Sequence, residues 1–254
     1  MSAALSVTGA LMRRSLNEVV RVPGAAMPSV VAPTLLLLGL TAAFGRITDV
    51  RGFGSDDYLS FLAPVSLLQC AGFTGAATGV NLARDIEQGW FDRLLVAPAP
   101  RFVLLGGVVL SSALRVLMPV TFLLAVAFAL GLNLPGPAGI ALVVVLVPSF
   151  TIVAACWGAS IALRFRTQAA GPLIQSAMFV AILFTASYAP SKLLAPWLRS
   201  VARVNPVNHV VEGLRSAFVG GTSWADAWPA LAAVAGLAVV FGGLALRGLL
   251  RTGR

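Results

Sequence analysis

The chain has 254 residues, of which 58% are hydrophobic and only 11% charged, with a mean hydropathy of +0.92. Soluble domains carry roughly 25% charged residues, so the composition excludes a soluble globular protein and describes an integral membrane protein. Eighteen Lys and Arg against nine Asp and Glu leave a formal charge of +9, but the basic residues scatter over loops instead of forming the clustered stripe that nucleic acid binding needs; the excess is read as membrane topology, with no nucleic acid partner.

Near the N-terminus, Met12, Leu16, Val19 and Val20 recur at helical spacing, with Arg13, Arg14, Glu18 and Arg21 between them. This pattern predicts an amphipathic helix over residues 4–22, broken by Pro23 and Gly24. Such a helix lies flat at the membrane interface with its arginines near anionic headgroups; a frayed basic tail is the alternative. Arg13 and Arg14 before an apolar run resemble a secretion signal, but the run exceeds the roughly 7–15 residues of a signal's apolar core. The first helix is expected to stay uncleaved.

A hydrocarbon core of ~30 Å takes about 20 apolar residues in a helix. Six runs fit, at 25–45, 58–82, 104–132, 138–163, 171–189 and 228–246. The second carries Gly75 and Gly79, a small-xxx-small spacing that lets helices approach closely in lipid, and packing outweighs ligand binding as its purpose. The third is long for one perpendicular span and contains Arg115, which either snorkels or faces an aqueous cleft, or is buried for function.

Between the fifth and sixth runs, residues 190–221 are too polar to cross yet clearly patterned. Leu194, Trp197, Leu198 and Val201 share one face of a short helix. A second helix has Asn205 as N-cap, Pro206 at its first position, and Gly220 and Gly221 at its end. Its apolar positions are Val207, Val210, Val211, Leu214 and Phe218, with Glu212 and Arg215 among its polar ones. Two amphipathic helices in succession predict a re-entrant hairpin dipping into the outer leaflet; exposure to water would leave both apolar faces uncovered.

Six crossings put both termini on one side. If that side is the cytoplasm, eleven basic residues fall in inner segments and six in outer ones, as the positive-inside rule requires. The fold class expected is all-α integral membrane, in one domain. Cys70 and Cys156 sit within crossings, where a thiol packs as a small apolar group.

The single histidine, His209, excludes a two-histidine zinc motif, and no His, Cys, Asp or Glu cluster has metal-ligand spacing. The single lysine, Lys192, has no glycine-rich phosphate loop around it. All nine acidic residues lie outside the six apolar runs, whereas ion-driven carriers place ionisable groups at mid-membrane. No catalytic, cofactor or metal residue is assigned, and the chain is expected to be passive or to draw energy from a partner.

One charged patch separates the second and third runs, RDIEQGWFDRLLVAPAPR at 84–101. Ile86, Trp90 and Leu94 recur every four residues, with Phe91 and Leu95 beside them, while Arg84, Asp85, Glu87, Gly89, Asp92 and Arg93 fall elsewhere. The spacing predicts a short amphipathic helix over 84–95 at the cytoplasmic face, ended by Pro98 and Pro100. Acidic residues gain little beside an anionic leaflet; an aromatic pair among charges of both signs suits a groove on another protein.

This run resembles the cytoplasmic loop of type-2 ABC exporter permeases, where an acidic pair, a glycine, an apolar pair and a proline follow one another. Here these are Asp85 and Glu87, Gly89, Leu94 with Leu95, and Pro98. Trp90 departs from the small hydroxyl residue often found after the glycine. NPVNHVVEGLRSAFVGG at 205–221 is similar to the segment before the last helix in the daunorubicin-resistance branch of that family. The resemblance implies a coupling helix at 84–95, in which Arg84, Asp85, Glu87, Gly89, Trp90, Phe91, Asp92 and Arg93 contact a separate ATP-binding subunit. ATP and Mg would reside on that subunit, and two permease chains with two ATPases, surrounded by membrane lipids, would form the working unit. It further implies export of a hydrophobic or amphipathic drug, antibiotic or lipid across a bacterial plasma membrane. Two other classes compete: a lipid-metabolising membrane enzyme, for which Asp85, Glu87 and Asp92 are the available acidic cluster, and an energy-independent channel or scaffold.

Overall fold

The long apolar runs fold as helices because a backbone in hydrocarbon has to satisfy its polar groups within its own segment. The computed structural model describes residues 9, 27–49, 53, 57–91 and 100–251, and among these no strand occurs. In chain order the α-helices are α1 (Met27–Phe44), α2 (Tyr58–Glu87), α3 (Arg101–Arg115), α4 (Leu117–Ala129), α5 (Pro137–Phe165), α6 (Gly171–Leu183), α7 (Pro196–Val204), α8 (Pro206–Val219) and α9 (Trp224–Arg251). Short 3-10 turns at Gly45–Asp49, Gln168–Ala170 and Ser191–Leu193 join them. The N-terminal helix expected over 4–22, with Arg13, Arg14, Glu18 and Arg21, lies outside the described residues.

Among the described residues, five segments are long and apolar enough to cross a membrane: Met27–Thr48, Tyr58–Glu87, Arg101–Ala129, Pro137–Phe165 and Trp224–Arg251. The third is interrupted, because Pro119 has no N–H to donate four residues back and its ring crowds that carbonyl. The α-helical ladder yields at Val116, between α3 and α4, and Arg115 ends up half-buried beside the break. The run 171–189, expected to cross as one helix, is helical over only part of its length. Helix α6 stops at Leu183, and its 13 residues reach about 20 Å at ~1.5 Å per residue, short of a ~30 Å core.

Helix α2 is the axis of the bundle. Its most apolar stretch is 94% buried, against 17% for α1 and α9, so α2 packs on protein along its length while the outer helices turn apolar surface outward. Asp57 starts it as N-cap, accepting from the Leu59 and Ser60 amides at 3.0 Å each. Gly75 and Gly79 serve close packing, as their spacing predicts: a Cβ on Gly79 would lie 2.4 Å from backbone atoms of Gly158, and one on Gly75 would lie 2.5 Å from the Thr151 carbonyl oxygen. The backbones of α2 and α5 therefore touch without a side-chain layer between them.

Candidate functional site

Two clusters of polar contacts tie distant parts of the chain together, one at each end of α2. Thirty residues of helix separate them by about 45 Å.

At the C-terminal end of α2 the structure divides the helix expected over 84–95. Arg84, Asp85, Ile86 and Glu87 continue α2, which then stops because Gly89 adopts a left-handed backbone with φ of 70°, the usual helix-ending conformation that glycine takes without steric cost. The Gln88 and Gly89 amides donate to the Arg84 and Ile86 carbonyls. Beyond this turn Trp90 and Phe91 are helical again; Asp92, Arg93, Leu94, Leu95 and Pro98 lie outside the described residues.

Phe91, which the sequence pattern puts at a docking face, is instead 1% exposed. It joins a cluster with Leu82 of α2, Leu105 and Val109 of α3, Leu163 of α5 and Leu249 of α9, so the residue just past the turn is anchored to four helices. Arg84 and Glu87 are exposed, and Asp85 and Trp90 half-buried.

The Glu87 carboxylate reaches a segment 80 residues away. One oxygen accepts from the Gln168 amide at 2.9 Å, the other from the Thr167 hydroxyl at 3.4 Å. Neither Thr167 nor Gln168 stands out in the sequence, since the partnership joins residues with no local signal between them.

At the N-terminal end of α2 the contacts are buried and more numerous. Arg215 of α8 is 7% exposed. Its guanidinium donates to the carbonyls of Phe61 (3.4 Å), Ala186 (2.8 Å) and Ser187 (3.3 Å), and pairs with Glu212 at 3.1 Å. It also lies over the Phe61 ring, 3.8 Å from the centroid, a cation–π contact strengthened by desolvation. Burial lowers the Arg215 pKa, and Glu212 opposes that shift.

Asn205 acts in two directions. Its Oδ1 accepts from the Val207 amide as the N-cap of α8, while its Nδ2 donates to the Ala181 and Phe184 carbonyls at the end of α6. Asn208 accepts from the Ala186 amide at 2.8 Å. Tyr188 accepts through its hydroxyl from Gln69 of α2 at 2.9 Å and through its carbonyl from Tyr58 at 3.2 Å. These bonds satisfy an irregular segment, 184–190, that would otherwise leave backbone groups bare at the edge of an apolar bundle. That is why α6 can end early: Thr185, Ala186 and Ser187 are all buried.

The cap at Asn205 and Pro206 and the apolar face Val207, Val210, Val211 and Leu214 stand as the sequence predicts, all four side chains buried against the bundle. Helix α7 is different. It begins at Pro196, after Leu194, and Trp197, Val201 and Val204 are exposed. Phe61, Gln69, Tyr188 and Asn208 carry contacts that sequence pattern did not single out; a glutamine within an apolar run was the one available hint. Beside Arg215 an open pocket of ≈ 390 Å³ is lined by His209, Glu212, Asp226 and Pro229 among others.

The sequence profile of the family described as "ABC-2 type transporter" matches residues 6–219. The chain is 23% identical over 251 residues to "Daunorubicin resistance ABC transporter permease protein" of Streptomyces coeruleorubidus, covering 97% of this chain and 87% of that protein. It is 25% identical over 185 residues to "Probable multidrug ABC transporter permease" of Escherichia coli, covering 69% of this chain and 49% of that one.

Proposed function

The chain belongs to the ABC-2 type transporter family, and on that premise we propose how it works as the membrane permease subunit of an ABC exporter. It is a transport subunit and not an enzyme. Within the segment 84–91, Arg84, Asp85 and Trp90 take the push of a separate ATP-binding subunit, which holds ATP and Mg. A second permease chain completes the pathway, and the apolar surfaces of α1 and α9 face lipid or that chain.

The observation that carries this reading is the anchoring of Phe91. A segment whose exposed residues project beyond the bundle, and whose buried aromatic is held by α2, α3, α5 and α9, transmits displacement to several helices at once. Force applied at Arg84 is then not dissipated in a loose loop.

Helix α6 and the irregular segment 184–190 together make a sixth passage, so the Arg84 end lies in the cytoplasm with both termini, in a bacterial plasma membrane, as the excess of inner basic residues supports. Residues 190–221 form the outer re-entrant hairpin, with Asn205, Pro206, Glu212 and Arg215 fixing it to the bundle. Cargo is hydrophobic or amphipathic, a drug, antibiotic or lipid, in keeping with six apolar runs that hold one basic residue, Arg115, and no acidic one.

The test is the double variant Arg84→Glu/Asp85→Lys in the complex with its ATPase. Transport and copurification of the ATPase should both be lost while the detergent melting temperature stays that of the wild type. Wild-type transport by this variant would overturn the reading.

A further inference from the structure

We propose that Glu87 is a positioning residue that clamps the end of α2 to the start of α6, so that the segment receiving the ATPase push moves α6 together with α2. The inference rests on the transport reading above and assigns Glu87 a role other than contact with the ATPase.

Both carboxylate oxygens face the turn between α5 and α6. The first amides of a helix have no partner within it and carry the positive end of its dipole, so they attract an anion. Thr167 caps the turn locally by accepting from the Ala169 amide at 3.2 Å, and its hydroxyl proton is left to donate to Glu87. The Gln168 amide has its acceptor in Glu87, from a helix 81 residues earlier in the chain. Glu87 thus completes from α2 the cap that Thr167 begins.

The surrounding backbone makes this attachment short and stiff. Helix α5 ends at Phe165 and is capped by Arg166, whose φ of 55° is left-handed and whose amide returns to the Ala162 carbonyl at 2.8 Å. The chain therefore reaches Thr167 one residue after this cap. On the other side Gly171, the first residue of α6, packs against Val80, where an added Cβ would lie 3.3 Å from a Val80 methyl. Helix α6 packs along α2 through apolar contacts, Gly171 on Val80 at its first turn, Phe179 stacked on Phe73, and Met178 and Ile182 against Gly72, and Glu87 adds one charged clamp two helical turns beyond Val80.

Glu87 is exposed and its partners are neutral, and such hydrogen bonds add little to stability because water competes for both sides. Such a bond suits a joint that has to form and release through a cycle better than a structural staple. The helix it controls is also the short one, which ends at Leu183 and is held at its far end by Asn205. Motion given to α6 at Glu87 therefore arrives at the segment 184–190.

The experiment compares Glu87→Ala, Glu87→Gln, Thr167→Val and the pair Glu87→Ala/Thr167→Val in the reconstituted complex with its ATPase, reading copurification, basal ATP hydrolysis and molecules transported per ATP. Glu87→Ala is expected to keep the ATPase bound and its basal hydrolysis within about twofold, and to lower transport per ATP roughly tenfold, a typical intersite coupling. Glu87→Gln, which retains an acceptor for the Gln168 amide, falls less, and the pair is no worse than Glu87→Ala alone because both substitutions break one joint. Loss of the ATPase from Glu87→Ala would make Glu87 a docking residue and overturn the clamp, as would unchanged transport per ATP or independent, additive losses. Failure of the docking reading looks different: the Arg84→Glu/Asp85→Lys complex would then transport normally whatever Glu87 does.

Discussion

The two ends of α2 solve the same problem, fastening it to α6 and its continuation, with opposite chemistry. At the Arg215 end a buried guanidinium, two asparagines and two tyrosines satisfy an irregular segment from several sides. At the Glu87 end one exposed carboxylate bridges to a turn. In a low-dielectric setting each polar bond is strong and each missing one costly, so the Arg215 end is built to hold. In water the same kinds of bond exchange readily, so the Glu87 end is built to let go. A lever with one firm end and one releasable end has a defined fulcrum.

The largest test of that contrast is Arg215→Met. It removes the donor to the carbonyls of three buried residues, a loss of about 1–3 kcal/mol for each left unsatisfied, while Glu212, half exposed, takes water in place of its partner. Folded protein should be nearly absent from detergent extracts judged by size-exclusion yield; a wild-type yield and melting temperature would erase the difference between the ends. Arg215→Lys should rescue poorly, because an ammonium cannot present the planar fork that reaches several carbonyls together.

Asn205→Ala sharpens the comparison at intermediate size. The α8 cap and the two bonds to the end of α6 disappear together, which predicts a loss of about 1–2 kcal/mol, seen as a lowered melting temperature with intact assembly. If the melting temperature held, the 184–190 segment would be fastened by Arg215 and Asn208 without it.

The smallest effect belongs to the other end. Arg166→Gly relieves a left-handed backbone but gives the unfolded chain more freedom, and the two terms nearly cancel, leaving a change under about 1 kcal/mol. A large drop in melting temperature would show that the Glu87 end carries stability after all.

Much of this was legible along the chain. Asn205, Pro206 and the apolar positions of α8 read as a capped amphipathic helix because caps and helical periodicity are local properties. Gly75 and Gly79 read as a packing seam for the same reason. The Gly89 turn was misread as helix interior, since periodicity runs through a single left-handed residue without interruption. The early end of α6 was misread because 171–189 is apolar on average despite Gln175, Ser176, Thr185 and Ser187; what accommodates the end is a set of donors from Asn205 and Arg215 and an acceptor from Asn208.

Sequence alone determined that this chain lives in a membrane, where its long helices run, and which family it resembles, because hydropathy, helical period and short motifs depend on residues near one another. The tertiary structure alone decided that Phe91 turns inward, that Arg215 holds the irregular segment, and that Glu87 meets Thr167 and Gln168. Each of those joins side chains far apart in sequence, and only the packing of α2 against its neighbours brings the partners within bonding distance.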